Sequence, residues 1–348
     1  MSGRANNGTQ HTTRNTQHES RRVTSIDVAE VAGVSQSTVS RTFSGASVSP
    51  AARARVMAAA AQLGYSPNAL ARSLSTQRSR IIGVVIGGMS SPYNPYVLEI
   101  FSQRLQEMNQ QILFFNVPPD EDVDALIPIV LQYQVDALII MAATVSSEMA
   151  KVCANQGTPV LLFNRTSPDT PVHTVCTDNL HGGQLAADLF VDTGHRRMAY
   201  VSGPANTSTS REREAGFVQQ LVKRDCPLVL REECNHSHES AFAAGRRLLQ
   251  HEHPPDAIFC ASDIIAIGII DQIRKRNLRV PEDVSIIGFD DIPAASWSAY
   301  DLTTIRLPVN RMVDASLKLL AEEYHTPQTI LIPGTMIERR TVRPKMQS

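Results

Sequence analysis

VTSIDVAEVAGVSQSTVSRTFSG, residues 23–45, reads as two short helices separated by a glycine turn. Thr24 is placed to cap the first helix, and Asp27, three residues on, to reach back to it, which is capping-box spacing. Ile26, Val28, Ala29 and Ala32 supply one apolar helical face, and Gly33 permits the sharp turn. Ser35 caps a second helix from Gln36 to about Phe43. Its first positions, Gln36, Ser37 and Thr38, are polar, as readers of base edges must be, while Val39 points back to the core. Ser40 and Arg41 suit backbone phosphates. The spacing predicts a helix-turn-helix that docks on DNA.

A third helix, Pro50 to Leu63, has Ser49 as cap, proline at its first position and Gly64 as stop. Its alanines at 51, 52, 54 and 58–61 allow close packing in a small bundle. Ser66-Pro67 repeats the start signal, but the segment it opens, Asn68 to Ser75, is short. Helices below ~12 residues are marginal in water. Such a piece is either a linker or a helix that forms only when something packs on it.

Charge is divided along the chain. The formal net charge is −1, yet residues 1–78 hold nine arginines, no lysine and three acids. The remainder carries 24 basic and 31 acidic residues. A basic module on an acidic body attracts phosphate at one end only. Residues 1–22 are polar and aperiodic, and are expected to form a disordered arm. No apolar run approaches the ~18 residues of a membrane span. The five cysteines, Cys153, Cys176, Cys226, Cys234 and Cys260, are scattered and never in CxxC, which points to free thiols in a reducing cytoplasm.

From Ile81 onward short apolar runs alternate with helical stretches. Strands are expected at 81–86, 112–117, 137–142, 159–164 and 173–178. A second set falls at 198–203, 228–233, 257–262 and 284–289, with TTIRL and TMIER later. Helices between them include Tyr96–Gln110, Leu180–Asp192, Arg211–Lys223, Ser240–Gln250 and Ile264–Arg276. Continuous apolar strands alternating with helices predict parallel sheets covered on both faces, enough for two doubly wound α/β subdomains. Ligands bind at the carboxyl ends of strands in such sheets, so two facing subdomains make a cleft.

VAEVAGVSQSTVSR, GYSPNALARSL, TDNLHGG, SGPANTSTSREREAGF and VPEDVSIIGFDD lie in the order of motifs of one family. Over about Val23 to Arg343 the chain resembles transcription regulators of the lactose repressor (LacI) family. The resemblance implies a small all-α headpiece on a periplasmic-binding-protein-like α/β core. The implied division is 23–65 headpiece, 66–78 hinge helix and linker, and 79–344 effector-binding and dimerisation domain. Within the last, one subdomain takes 79–177 plus 307–330 and the other 178–306 plus 331–344. Gln36 and Ser37 become the main base readers, supported by Thr24, Ser35, Thr38, Ser40 and Arg41, with Asn68, Ala71 and Leu74 in the hinge. Leu74 falls where the family wedges a leucine into the minor groove; the alternative is a packing leucine.

On the effector side the resemblance implies Ser90, Tyr96, Arg165, Thr209, Arg213, His236, Ser262 and Asp290. Facing arginine and aspartate suit a polar ligand with donors and acceptors around its rim. The alternative for Arg165, Arg213 and Asp290 is a bridging ion-pair network without ligand contact. His236 stands where relatives usually have a stacking aromatic, and Ser262 where sugar binders often have asparagine. Histidine titrates near neutrality, so a pH-sensitive pocket, or one preferring a carboxylate or phosphate, is expected. Trp297 lines the cleft rim or packs its loop.

Other chemistry is thin: GxSxG, Walker and GxGxxG patterns are missing. His236/His238 and His251/Glu252/His253 lack partners at zinc-site spacing, so neither metal nor cofactor is expected. The reading is a repressor that binds a near-palindromic operator as a homodimer, switched by a small effector. The other class is a binding protein or enzyme with an idle DNA module.

Overall fold

The computed structural model describes residues 23–66, 78–89, 91–118, 123–141, 146–167, 169–205, 207–322 and 326–345. The arm at 1–22, the hinge candidates Asn68, Ala71 and Leu74, and Ser90 lie outside the described residues. The chain divides into two compact units, Met1–Gln77 and Arg78–Ser348.

The first unit holds three helices, α1 (Ser25–Ala32), α2 (Gln36–Ser44) and α3 (Pro50–Leu63). Local chemistry sets every boundary. Thr24 accepts from the Asp27 amide while Asp27 accepts from the Thr24 amide, closing the capping box. Ser35 caps α2 through the Thr38 amide, and Ser49 caps α3 through Ala52. Gly33, Gly45 and Gly64 end the three helices in left-handed conformation, which glycine adopts without steric cost. Val28, Ala29, Ala32, Val39, Val56, Ala59 and Ala60 form the small core. Ile26 is not part of it: it is 51% exposed, because α1 buries only the face through Val28, Ala29 and Ala32.

The second unit contains two six-stranded sheets. Strands β1 (Ile81–Gly87), β2 (Gln111–Val117), β3 (Ala137–Ile140), β4 (Val160–Phe163) and β5 (His173–Thr177) belong to the first sheet. Helices α4 (Tyr93–Glu107), α5 (Val123–Leu131) and α6 (Ser147–Asn155) alternate with them. The second sheet follows with β6 (Met198–Ser202), β7 (Leu230–Glu233), β8 (Ala257–Cys260), β9 (Ser285–Asp290) and β10 (Thr304–Arg306). Its helices are α7 (Asn179–Asp192), α8 (Ser208–Lys223), α9 (His238–Leu249) and α10 (Asp263–Lys275). The chain then forms α11 (Val309–Ala321), adds β11 (Thr329–Ile332) to the first sheet, and returns as β12 (Thr335–Ile337) to the second.

The sheet orders are β11-β5-β4-β3-β1-β2 and β12-β10-β9-β8-β6-β7. All pairings are parallel except β10 with β12. Fully buried strands such as Leu138–Ile140 explain the unbroken apolar runs, since helices cover both faces. The subdomain limit expected at 330/331 falls inside β11. Thr329–Ile332 pairs along Thr174–Thr177, so the last crossing moves to residues 333–334. Gly334 sits there because a side chain would press 2.8 Å from Ile305 and 3.1 Å from the Arg306 carbonyl.

Helices α7 and α8 approach backbone to backbone. A Cβ at Gly216 would lie 2.0 Å from the Leu180 carbonyl, and one at Gly183 2.3 Å from the Arg213 carbonyl. Fully buried Phe217 anchors α8 on Tyr200 and Phe259. All five cysteines are free and buried. Gly216→Ala is therefore expected to destabilise the chain by about 1–3 kcal/mol, since overpacking forces the backbones apart. Urea unfolding of the two proteins measures it, and coincident midpoints would contradict the contact.

Candidate functional site

The carboxyl ends of both sheets bring one polar cluster together. From the first lobe come Arg165, just beyond β4, and Tyr93, the first residue of α4. The second lobe supplies Thr209 and Arg213 on α8, His236 after β7, Ser262 before α10 and Asp290 at the end of β9. The lobes touch here directly. Arg165 Nη1 donates to Thr209 Oγ1 at 3.2 Å, and the Thr166 amide donates to Ser208 Oγ at 3.0 Å. The Thr166 hydroxyl also bonds Glu212.

Arg213 is the hub. Its Nη1 lies 3.3 Å from Asp290 Oδ1, with both side chains almost fully buried. Nε donates to Asn179 Oδ1 at 2.9 Å, Nη1 also donates to the Ala261 carbonyl, and the guanidinium lies 3.7 Å over the Phe289 ring. Phe289 gains its room from Gly182, where a Cβ would meet the ring at 2.6 Å. Asp290 is held at φ 114°, a conformation non-glycine residues rarely adopt. Burial pushes its carboxyl up to about 6, although Arg213 and Arg165 pull the other way. Breaking such a pair by removing one partner leaves an uncompensated buried charge.

His236 behaves differently from the sequence expectation. Its Nδ1 lies 3.2 Å from Ser262 Oγ, and its ring occupies the space left by Gly203, where a Cβ would meet Nε2 at 2.1 Å. Burial first, then Arg165 and Arg213, lower its pKa to about 3. The expected pH-sensitive imidazole near neutrality is corrected: this ring is neutral at pH 7, because it is buried and two guanidiniums lie near it.

Tyr96 also needs restating. It packs half-buried against the hydrophobic core, and the tyrosine facing the charges is Tyr93. Helix α4 starts at Tyr93, so a phase three residues earlier turns that ring to the site. Asn179, inside TDNLHGG, was not singled out in the sequence, yet it holds both Arg213 and Glu212. Trp297 is 60% exposed and does not pack its loop. His238 bonds Asp271 at 2.9 Å rather than joining His236.

In the first unit, Ser35, Gln36, Ser37, Ser40 and Arg41 are exposed, with Thr24 and Thr38 partly so. Gln36 Nε2 donates to Ser25 Oγ at 3.1 Å, and Arg41 Nε folds back to the Ser37 carbonyl at 3.3 Å. A polar, accessible start of α2 is the arrangement a groove-reading helix requires.

Residues 25–68 match the family described as bacterial regulatory proteins, lacI family, and 187–342 match the periplasmic binding protein-like domain. The chain is 30% identical over 328 residues to the HTH-type transcriptional repressor PurR of Erwinia tasmaniensis, covering 91% of this chain and 96% of that one. The chain belongs to the LacI family. A probable HTH-type transcriptional repressor ExuR of Bacillus subtilis is 28% identical over 333 residues, 92% of this chain and 98% of its own. Among solved structures, the lac repressor dimer bound to operator and the anti-inducer ONPF superposes with TM-score 0.83 at 28% identity, covering 92% of this chain and 99% of that one. The transcriptional regulator CelR–cellobiose complex gives TM-score 0.68 at 26% identity, covering 92% and 100%. This LacI-family chain is a transcriptional repressor with a DNA-binding helix-turn-helix and an effector-binding core.

The His236 geometry gives this repressor a defined acid response. A histidine whose folded pKa is about 3 binds its proton only on unfolding, so its contribution is present above pH 6.5 and is lost as pH falls. Over that window it removes up to about 1.4 kcal/mol per pH unit. His236→Gln should lose stability more gently between neutral pH and pH ~4.5 than the wild type. Denaturant midpoints across that range check it, and parallel profiles would refute it.

Proposed function

We propose that this repressor binds a near-palindromic operator as a homodimer, and that a small polar effector held between the lobes sets its affinity. The observation that supports it best is the buried cluster itself. Arg165 and Tyr93 come from one lobe and Thr209, Arg213, His236, Ser262 and Asp290 from the other, so a ligand touching both sides favours one lobe angle over another. A differential affinity of about 1–3 kcal/mol between two such states changes DNA affinity roughly 5- to 150-fold.

In this reading Gln36 and Ser37 read base edges, while Thr24, Ser35, Thr38, Ser40 and Arg41 hold register on the backbone. Residues 66–78 form the hinge, with Asn68 and Ala71 at the DNA and Leu74 as the minor-groove wedge. Two hinges over one operator require a symmetric dimer and a palindrome. One face for pairing is the exposed side of α4 and its C-cap, including Glu99, Gln103 and Met108. The segment near 264–276 is the second: Ile265–Ile270 are buried, while Ile264, Asp271 and Arg276 are partly exposed and Arg274 and Lys275 exposed.

Fluorescence anisotropy on DNA from upstream of the gene tests the proposal. Gln36→Ala should cost about 1–3 kcal/mol of discrimination at one base position. Arg41→Ala should weaken all sequences alike and reduce the salt slope by about one. Arg213→Gln should keep operator binding and lose the effector response. Failure to bind any palindromic fragment at low salt, with or without candidate ligands, would sink the regulator.

A further inference from the structure

The polar groups of the cleft do not balance among themselves. Arg213 has a carboxylate of its own, Asp290, and its Nε and Nη1 also bond Asn179 and the Ala261 carbonyl. Glu212 is taken up by Thr166 and Asn179. Arg165 has no such partner. Its Nη1 donates only to neutral oxygens, the Asn164 carbonyl at 2.8 Å and Thr209 Oγ1 at 3.2 Å. Among the described residues its buried Nε has nothing to bond and no carboxylate pairs with it. The Tyr93 hydroxyl, on a side chain only 6% exposed, also has no partner among the described residues.

The surroundings deepen the imbalance. Arg165 reaches the first turn of α8, the positive end of a 16-residue helix whose N-cap Thr207 makes no side-chain cap bond. Arg213 adds a second positive charge nearby, strong enough to make the Arg165 proton easier to lose once burial has begun to do so. Asp290, which also acts on Arg165, is the counter-ion of Arg213. Neutral His236 completes the wall. A buried guanidinium facing a helix N-terminus and another guanidinium is costly unless an anion joins it.

We infer that the effector carries an oxyanion, a carboxylate or a phosphate monoester, which pairs with Arg165 and accepts the Tyr93 hydroxyl hydrogen bond. The flat donor fork of arginine matches either group, and the Arg213–Asp290 pair remains to hold neutral hydroxyls or amides of the same molecule. This rests on the proposal that the effector binds in the cleft.

The test uses the full chain and two readouts. In thermal melts, inorganic phosphate should stabilise the wild type more than chloride at equal ionic strength. That excess should vanish in Arg165→Met and survive in Arg41→Met, which removes a headpiece guanidinium instead. In chloride alone, Arg165→Met should melt above the wild type, because it removes an unpaired buried charge; a purely structural arginine gives the reverse. Calorimetric titrations then compare glucose, glucuronate and glucose 6-phosphate, and the same sets built on galactose and ribose. An anionic member should bind at least about tenfold tighter than its neutral parent, and Arg165→Lys should lose most of that preference. Glucuronate-type and phosphate-type ligands separate the two sources of the anion.

No phosphate-specific stabilisation of the wild type, or equal stabilisation of Arg165→Met, overturns the inference. A neutral ligand that depends on Arg213 but not on Arg165 also overturns it, and leaves the cleft as the effector site. An anionic ligand indifferent to both Arg165→Met and Arg213→Gln removes the cleft proposal itself.

Discussion

The closeness of α7 and α8 governs the cleft. Their backbones touch where Gly183 meets the Arg213 carbonyl and Gly216 meets Leu180, a separation that any side chain would widen. Arg213 leaves α8 at that contact, so main-chain packing fixes the point from which its side chain reaches the cleft. Asn179 at the start of α7 then takes Nε, and Phe289 supports the plane. Three elements thus hold one charge before any ligand arrives.

That charge explains the electrostatics around it. Asp290 is kept near the guanidinium in a strained backbone conformation, and its carboxyl still rises to about 6 because burial outweighs attraction. His236 is driven the other way by the same burial and by two positive neighbours. Opposite shifts on an acid and a base a few residues from strand ends are what a dry pocket produces, since burial disfavours both charged forms. The strain and the desolvation together mark the cleft as a place built for binding rather than for stability.

Legibility from sequence followed the range of the forces involved. The headpiece was readable because its signals are local: Thr24 with Asp27, Ser35 with Thr38, and Ser49 with Pro50 each lie within one helical turn. The central strands were readable because two-sided burial writes unbroken apolar runs. Edge strand β11 was not, since Thr329 and Leu331 are exposed and its pairing partner lies more than 150 residues away. Tyr93 and Tyr96 could not be told apart without the start of α4. The ionisation of His236 depends on Arg165 and Arg213, which only the tertiary structure brings to it.

The route of the chain between the lobes also bears on how the molecule is made. The first sheet receives β11 only after the whole of β6 to β10 has been synthesised, and α11, which covers β4 and β5, comes just before it in the chain. During synthesis both lobes therefore wait for the end of the chain: Val175 and Thr177 lack their outer strand until residue 332 has been made, and β10 lacks β12 until residue 337. Long-range parallel pairing of this kind is slow and leaves an edge open while it waits.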